Sequence, residues 1–250
     1  MKAASRSERG RDGLLLVLTG AAGCADAIAF LALGHVFTAN MSGNTALLGL
    51  YLAQMDGAGA LRSLIALAGF AAGLAIGARM VDRPGSAGPW PAAVTRALAA
   101  EALILAAVAV GAYATGPSRG VPAGRVLIAL SALAMGMQSA AVWRLGVPGI
   151  STTYLTGTLT SAVTGFVSRS QPGTSRTPPP VPAEEGQTSR DVRWRKARLQ
   201  FLALGVYGLG AAIGGLVHLR VPGLVSALPL AAVAAVVVAA PGLTGTPRRV

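Results

Sequence analysis

The chain has 250 residues and a formal net charge of +12; 53% of its residues are hydrophobic and only 12% are charged, against about 25% in an ordinary soluble domain. The charges avoid the long apolar runs and gather between them, as a bilayer enforces, because a charge at mid-membrane costs about 2.5–3.5 kcal/mol on insertion scales. Nucleic-acid binding is set aside: the basic clusters Lys2–Arg11 and Arg190–Arg198 flank apolar segments, where they orient helices and favour anionic headgroups.

A single cysteine, Cys24, rules out an intramolecular disulfide and a Cys-based metal site, and His35 and His218 lie far apart in sequence. No cofactor or metal is expected. Basic residues followed by LLLVLTGAAGC resemble a lipoprotein signal ending at Cys24, but the apolar run continues through AIAFLALG. A retained first transmembrane helix is the better reading.

In chain order, a cytoplasmic basic tail (1–12) precedes a first transmembrane half (13–115). A second half occupies 125–168 and 197–241, interrupted by a Pro-rich cytoplasmic linker (169–196) and followed by a basic cytoplasmic tail (242–250). Spans of about 20 apolar residues fall at Gly13–Leu33, Leu61–Val81, Val94–Ala114, Arg125–Leu145, Ala197–Leu219 and Gly223–Ala240. Two weaker segments, Phe37–Gln54 and Ile150–Val167, are polar at their starts and reach only about 27 Å as helices. Arg83–Pro91 is a turn-rich loop whose Trp90 suits the membrane interface, and Gly116–Gly124 is a second Gly/Pro loop. The linker, with TPPPVPAEEG, reads as disordered or polyproline.

Internal similarity points to duplication. VFTANMSGNTALLGL (Val36–Leu50) aligns with ISTTYLTGTLTSAVT (Ile150–Thr164), and Gly73–Gly77 aligns with Gly210–Gly214. The expected fold is therefore an all-α transmembrane bundle of two duplicated halves. It has either six full spans plus two short or re-entrant helices, or eight spans. Of the 21 Lys and Arg, 17 fall on the side of the N-terminus in the six-span arrangement and 16 in the eight-span one, so both place the N-terminus inside. Three spans per half make an inverted repeat and four a parallel one; six spans are preferred.

Asp26 stands deep in the first apolar helix, where an ionisable group is by default a candidate functional residue, and a proton-accepting role is physically reasonable there. A structural carboxyl bonded to nearby polar groups is the bland alternative. The run Asn40, Ser42, Gly43, Asn44 and Thr45 offers amides and hydroxyls to a cation or polar solute around a glycine that lets backbone approach closely. Its counterpart supplies Thr153, Thr156, Gly157 and Thr158. Paired Gly-interrupted segments in corresponding halves point to a transporter site, although small polar residues also serve helix packing.

Gln138 aligns with Cys24, at a depth near that of Asp26. Glu101 is expected near the start of its helix as a dipole-favoured charge, and Arg144 either snorkels or binds an anion. The stripe Gly69, Gly73, Gly77 is expected to pack helices, within the bundle or in a homodimer through Gly-rich faces. His35 and His218 belong to helix ends.

The run GCADAIAFLALGHVFTANMSGNTALLGL (Gly23–Leu50) resembles the YoaK family of multi-pass bacterial membrane proteins, through Asp26, Phe37 and Ser42-Gly43-Asn44. Met137-Gln138 and Thr153–Thr156-Gly157 look like its second-half motif. The resemblance implies a multi-pass architecture in a bacterial inner membrane and carries no mechanism. The favoured expectation is a non-enzymatic secondary transporter of a small solute or ion, proton-coupled through Asp26. A non-transporting scaffold or partner-binding protein is the alternative. An intramembrane hydrolase using Ser42 with His35 or His218 is remote, because a nucleophile needs a base within hydrogen-bond reach.

Overall fold

The computed structural model describes residues 2–82, 90–116, 120–146, 183–223 and 225–243. The second short segment, with Thr153, Thr156, Gly157 and Thr158, lies outside the described residues, as do the first half of the Pro-rich linker (169–182) and the tail after Leu243. Seven α-helices are described: α1 Lys2–Ala32, α2 Met41–Ala53, α3 Gly57–Val81, α4 Ala92–Thr115, α5 Val121–Arg144, α6 Ala183–Arg220 and α7 Ala227–Ala239. Five of them, α1 and α3 to α6, contain stretches long and apolar enough to cross a membrane. No strand occurs among the described residues. The chain is a polytopic helical bundle.

Three expectations about elements need correction. The basic tail is not separate from the first span, because α1 runs unbroken from Lys2. The Pro-rich linker ends earlier than 196: α6 starts at Ala183, just past Pro182, and is 38 residues long. Proline disfavours helix interiors but not helix starts, so its last occurrence sets the boundary. These two charged extensions meet, with Arg195 bonded to Asp12 at 2.6 Å and to Glu8 at 2.9 Å. The sixth span is also shorter than expected. α7 has 13 residues, about 20 Å of helix, extended by a 3-10 turn over Ala240–Leu243.

The segment α2 does not cross. Gly34 and His35 have φ of 91° and 60°, left-handed values that reverse the chain at the end of α1. The chain then runs back along α1 until Thr38 and Ala39 reach Asp26. Asp26 lies six residues before the end of α1, so the return covers about 9 Å. α2 climbs out again: Asn44 pairs with Phe37, and farther along Tyr51 donates to the His35 carbonyl at 3.2 Å. Asp56 caps α3 through the Ala58 and Gly59 N–H groups, and Arg62 of α3 reaches the Gly34 carbonyl. α2 therefore enters and leaves at one face. It is re-entrant.

With α2 excluded, α1 crosses away from the N-terminal face, α3 returns, α4 crosses and α5 returns, so that Arg144 reaches the Val81 carbonyl at 3.4 Å. Arg195, in the charged first part of α6, lies beside the charged end of α1, so α6 runs parallel to α1. The first half crosses three times, and the second begins in the opposite direction. That is the inverted arrangement.

The core is made by two parallel helix pairs, α1 with α6 and α3 with α5, and glycine sets both. A Cβ on Gly23 would collide with the Tyr207 carbonyl, and one on Gly136 with the Phe70 carbonyl. Gly210 faces Gly20 as Gly73 faces Leu133, and Gly214 faces Cys24 as Gly77 faces Met137. Adding 113 to the α1 positions and 137 to the α3 positions converts one interface into the other. This register corrects the alignment by one residue: Met137, rather than Gln138, corresponds to Cys24. The stripe Gly69, Gly73, Gly77 is thus filled by α5 of the same chain, leaving no room there for a second copy. Trp90, expected at the headgroups, is buried in the core, with its indole N–H on the Thr95 hydroxyl at 2.9 Å.

Candidate functional site

The site is built where the re-entrant segment meets α1 and α6. Asp26 is buried, and its Oδ1 accepts from the Thr38 and Ala39 N–H groups, both at 2.7 Å, and from the Thr38 hydroxyl at 3.4 Å. Its Oδ2 accepts from the Tyr207 hydroxyl at 2.5 Å. Two successive backbone N–H groups just ahead of α2 thus face one carboxyl oxygen, and the positive end of that helix adds to the attraction. One side chain ties three pieces of chain together.

The Asn40–Thr45 run does comparable work locally. The Asn40 Oδ1 caps α2, accepting from the Gly43 N–H at 3.1 Å and the Ser42 hydroxyl at 2.9 Å. Asn44 is fully buried; its Oδ1 accepts from the Phe37 N–H at 2.8 Å and its Nδ2 donates to the Phe37 carbonyl at 2.7 Å. It thereby satisfies both backbone groups of a residue that lies outside any helix, as the interior requires. A side chain at Gly43 would strike the Phe37 ring. Thr45 donates to the Met41 carbonyl one turn back, at 3.0 Å. Ser42 and Thr45 are exposed, while Asp26, Thr38 and Asn44 are enclosed. The Ser42 hydroxyl is turned to an amide oxygen, and an amide cannot serve as a general base.

Gln138 does not join this group. Its Nε2 donates to the Leu18 carbonyl at 3.1 Å, and its Oε1 is buried without a partner. Glu101 also departs from expectation: it is the tenth residue of α4, fully buried, and neither carboxyl oxygen has a hydrogen-bond partner. Arg96, five residues earlier, is exposed and marks the shallow end of the helix, whereas Glu101 points inward. His35 is exposed, with its ring edge-on to Phe30 at 5.0 Å. His218 sits in the last turn of α6 with Nδ1 buried and unpartnered. Outside the membrane, the carboxylate of Asp12, and behind it that of Glu8, hold the Arg195 guanidinium above its ordinary range.

Sequence reasoning missed Thr38 and Tyr207. The signal for Tyr207 was present: the glycine register pairs it with Phe70, so one half carries a hydroxyl that the other lacks. On the same register Ser139 corresponds to Asp26, and the Ser139 hydroxyl is buried without a partner.

The helical bundle with its apolar spans agrees with the comparisons. Residues 14–240 match the model of a protein family of unknown function, DUF1275. The chain belongs to this family. It is also 44% identical, over 151 residues, to the transmembrane protein YoaK of Bacillus subtilis (strain 168), a match covering 60% of this chain and 65% of that relative. The aligned region thus spans just under two thirds of the relative's length. No solved structure matches. The apolar spans and the transmembrane relative support a membrane-embedded architecture, and activity is left to be argued from the site.

Proposed function

We propose that this protein is a secondary transporter of a small solute or ion in a bacterial inner membrane, with its N-terminus in the cytoplasm. The observation that carries the reading is the re-entrant helix, whose polar N-terminal end is held within the bundle by Asp26. Halves of opposite orientation that meet at interrupted helices are the usual frame for alternating access. The excess of Lys and Arg on the face of the N-terminus supports the orientation.

In this reading Asp26 is the latch. It couples the segment from Thr38 to Asn44 with Tyr207 on α6, so a relative movement of α1 and α6 shifts the re-entrant end. The solute lies beside α2, near the exposed Ser42 and Thr45 and the half-buried Asn40. Screening the purified protein by thermal shift against amino acids, organic acids, nucleobases and metal ions identifies the solute to test. Uptake of that solute into vesicles under a pH gradient is expected to fall strongly with Asp26→Asn. Unchanged uptake removes the role given to Asp26.

One observation favours a second reading, a non-transporting scaffold: Asp26 and Asn44 spend their acceptors within the chain. A stoichiometric partner co-purifying with the protein, together with no response to any solute, decides for the scaffold.

A further inference from the structure

A cavity of about 450 Å³ opens between α1, α4, α5 and the α6–α7 turn, at the face opposite the N-terminal end of α1. Its walls are mainly apolar. On α4 they include Leu105, Val108 and Ala112, and on α5 Leu127 and Ser131; the titratable His218, in the last turn of α6, also lines the cavity. Glu101 continues the α4 row one turn deeper, four residues before Leu105, in helical register with the wall. α4 and α5 run antiparallel, with Gly111 against the Leu127 side chain, so ten residues farther in Glu101 comes level with Met137 and Gln138. Beneath an apolar funnel, then, lie two groups with unmet hydrogen-bonding capacity: both oxygens of Glu101 and the Oε1 of Gln138.

No opposite charge is at hand. Neither α7 nor the buried stretch of α5 from Leu127 to Val142 carries an ionisable side chain. On α3 the charged residues Arg62 and Arg79 stand near its ends. On α4 itself Arg96 is exposed. On α1 Arg11 lies 3.6 Å from Asp12 in the charged end of the helix and Asp12 is bonded to Arg195, while Asp26 has its oxygens on Thr38, Ala39 and Tyr207. A lone carboxylate enclosed this way loses its hydration and gains no partner, one of the most costly arrangements in a fold. A hard cation such as calcium or magnesium would need about six or more oxygens, and no cluster of three His, Cys, Asp or Glu exists among the described residues. A proton needs one.

We propose that Glu101 is a proton-binding site, exchanging with water through this cavity past the Leu105 layer. In the enclosed position it occupies here, the Glu101 carboxyl holds its proton. When water enters past Leu105 the O–H bond breaks, the electron pair stays on the carboxyl oxygen, and the proton passes to water in the cavity. Within the transport reading given above, on which this last step rests, Glu101 supplies the coupling proton and Asp26 the latch.

Infrared spectroscopy of the full chain in lipid vesicles tests the site. The wild type is expected to show a carboxylic acid C=O band that Glu101→Gln removes, that is lost as bulk pH rises, and that shifts on transfer to D2O. Should Glu101→Gln fail to fold, carbon-13 glutamate in the wild type isolates the band, since the other glutamates, Glu8, Glu184 and Glu185, lie in the charged helix extensions. Val108→Trp, which fills the cavity, is expected to slow the deuterium shift several-fold. Absence of the band at every pH, or a band that neither titrates nor exchanges, overturns the proposal. A titrating, exchanging band without solute-driven proton flux in the same vesicles upholds the site and removes the transport reading.

Discussion

The two parallel helix pairs are nearly superimposable in their glycine contacts, yet they differ in polarity. Between α1 and α6 the close approach at Gly23 brings Tyr207 onto Asp26; between α3 and α5 the equivalent approach at Gly136 involves Phe70, on a register that leaves Ser139 without a partner. Backbone proximity without side chains is common to both pairs and is therefore what holds the bundle. The polar link is an addition to one of them. It sits where a non-helical segment must be anchored, because the N–H groups of Thr38 and Ala39 have no helical acceptor and need one inside the bundle.

This comparison can be broken most forcefully at the glycines. Gly23→Leu and Gly136→Leu each place a side chain on a neighbouring carbonyl and are expected to cost about 3 kcal/mol or more, read as loss of monodisperse protein on extraction. If only one of the two does so, the interfaces are not equivalent. Asp26→Leu strands two backbone N–H groups and the Tyr207 hydroxyl, for about 3 kcal/mol, and should open the chain between His35 and Asn40 to limited proteolysis. Its counterpart Ser139→Ala removes a hydroxyl that bonds nothing, so thermal stability should change by less than about 1 kcal/mol. Tyr207→Phe makes the polar pair resemble the apolar one and is expected to cost about 1–2 kcal/mol in the same thermal measurement.

The smallest effect belongs to the helix extensions. Arg195 is about half exposed, so Arg195→Ala should cost less than about 1 kcal/mol and less still in high salt. Because its guanidinium is held above the ordinary range, whatever stability Arg195 adds is present throughout the neutral region. It is lost at strongly alkaline pH, as the group deprotonates in the fold. A thermal stability difference between Arg195→Ala and the wild type that varied across the neutral range would contradict this.

Much of the fold was legible because a bilayer leaves few choices. Apolar length located the spans, and the polar starts of the short segments marked α2 as unlike the rest. Asp26 and Asn44 stood out as polar groups that lipid does not tolerate, and the first of these is bonded to Thr38, Ala39 and Tyr207. Which way such a group points was not legible. Glu101 follows the exposed Arg96 by five residues, and sequence distance alone suggested a shallow position; the helix phase turns it inward. Tyr207 was overlooked despite its pairing with Phe70, because an aromatic residue in an apolar helix looks like packing until the partner helix is known. The extension of α6 back to Ala183 was obscured by the prolines before it, whose influence stops where they stop.

Cys24, the sole cysteine of the chain, is enclosed with its Sγ against Gly214. A thiol reagent therefore finds nothing to attack until α1 and α6 separate, which makes the unmodified protein its own gauge of that event. The rate at which a maleimide consumes this thiol reports how often the first helix pair parts, with no label to install and no background to subtract.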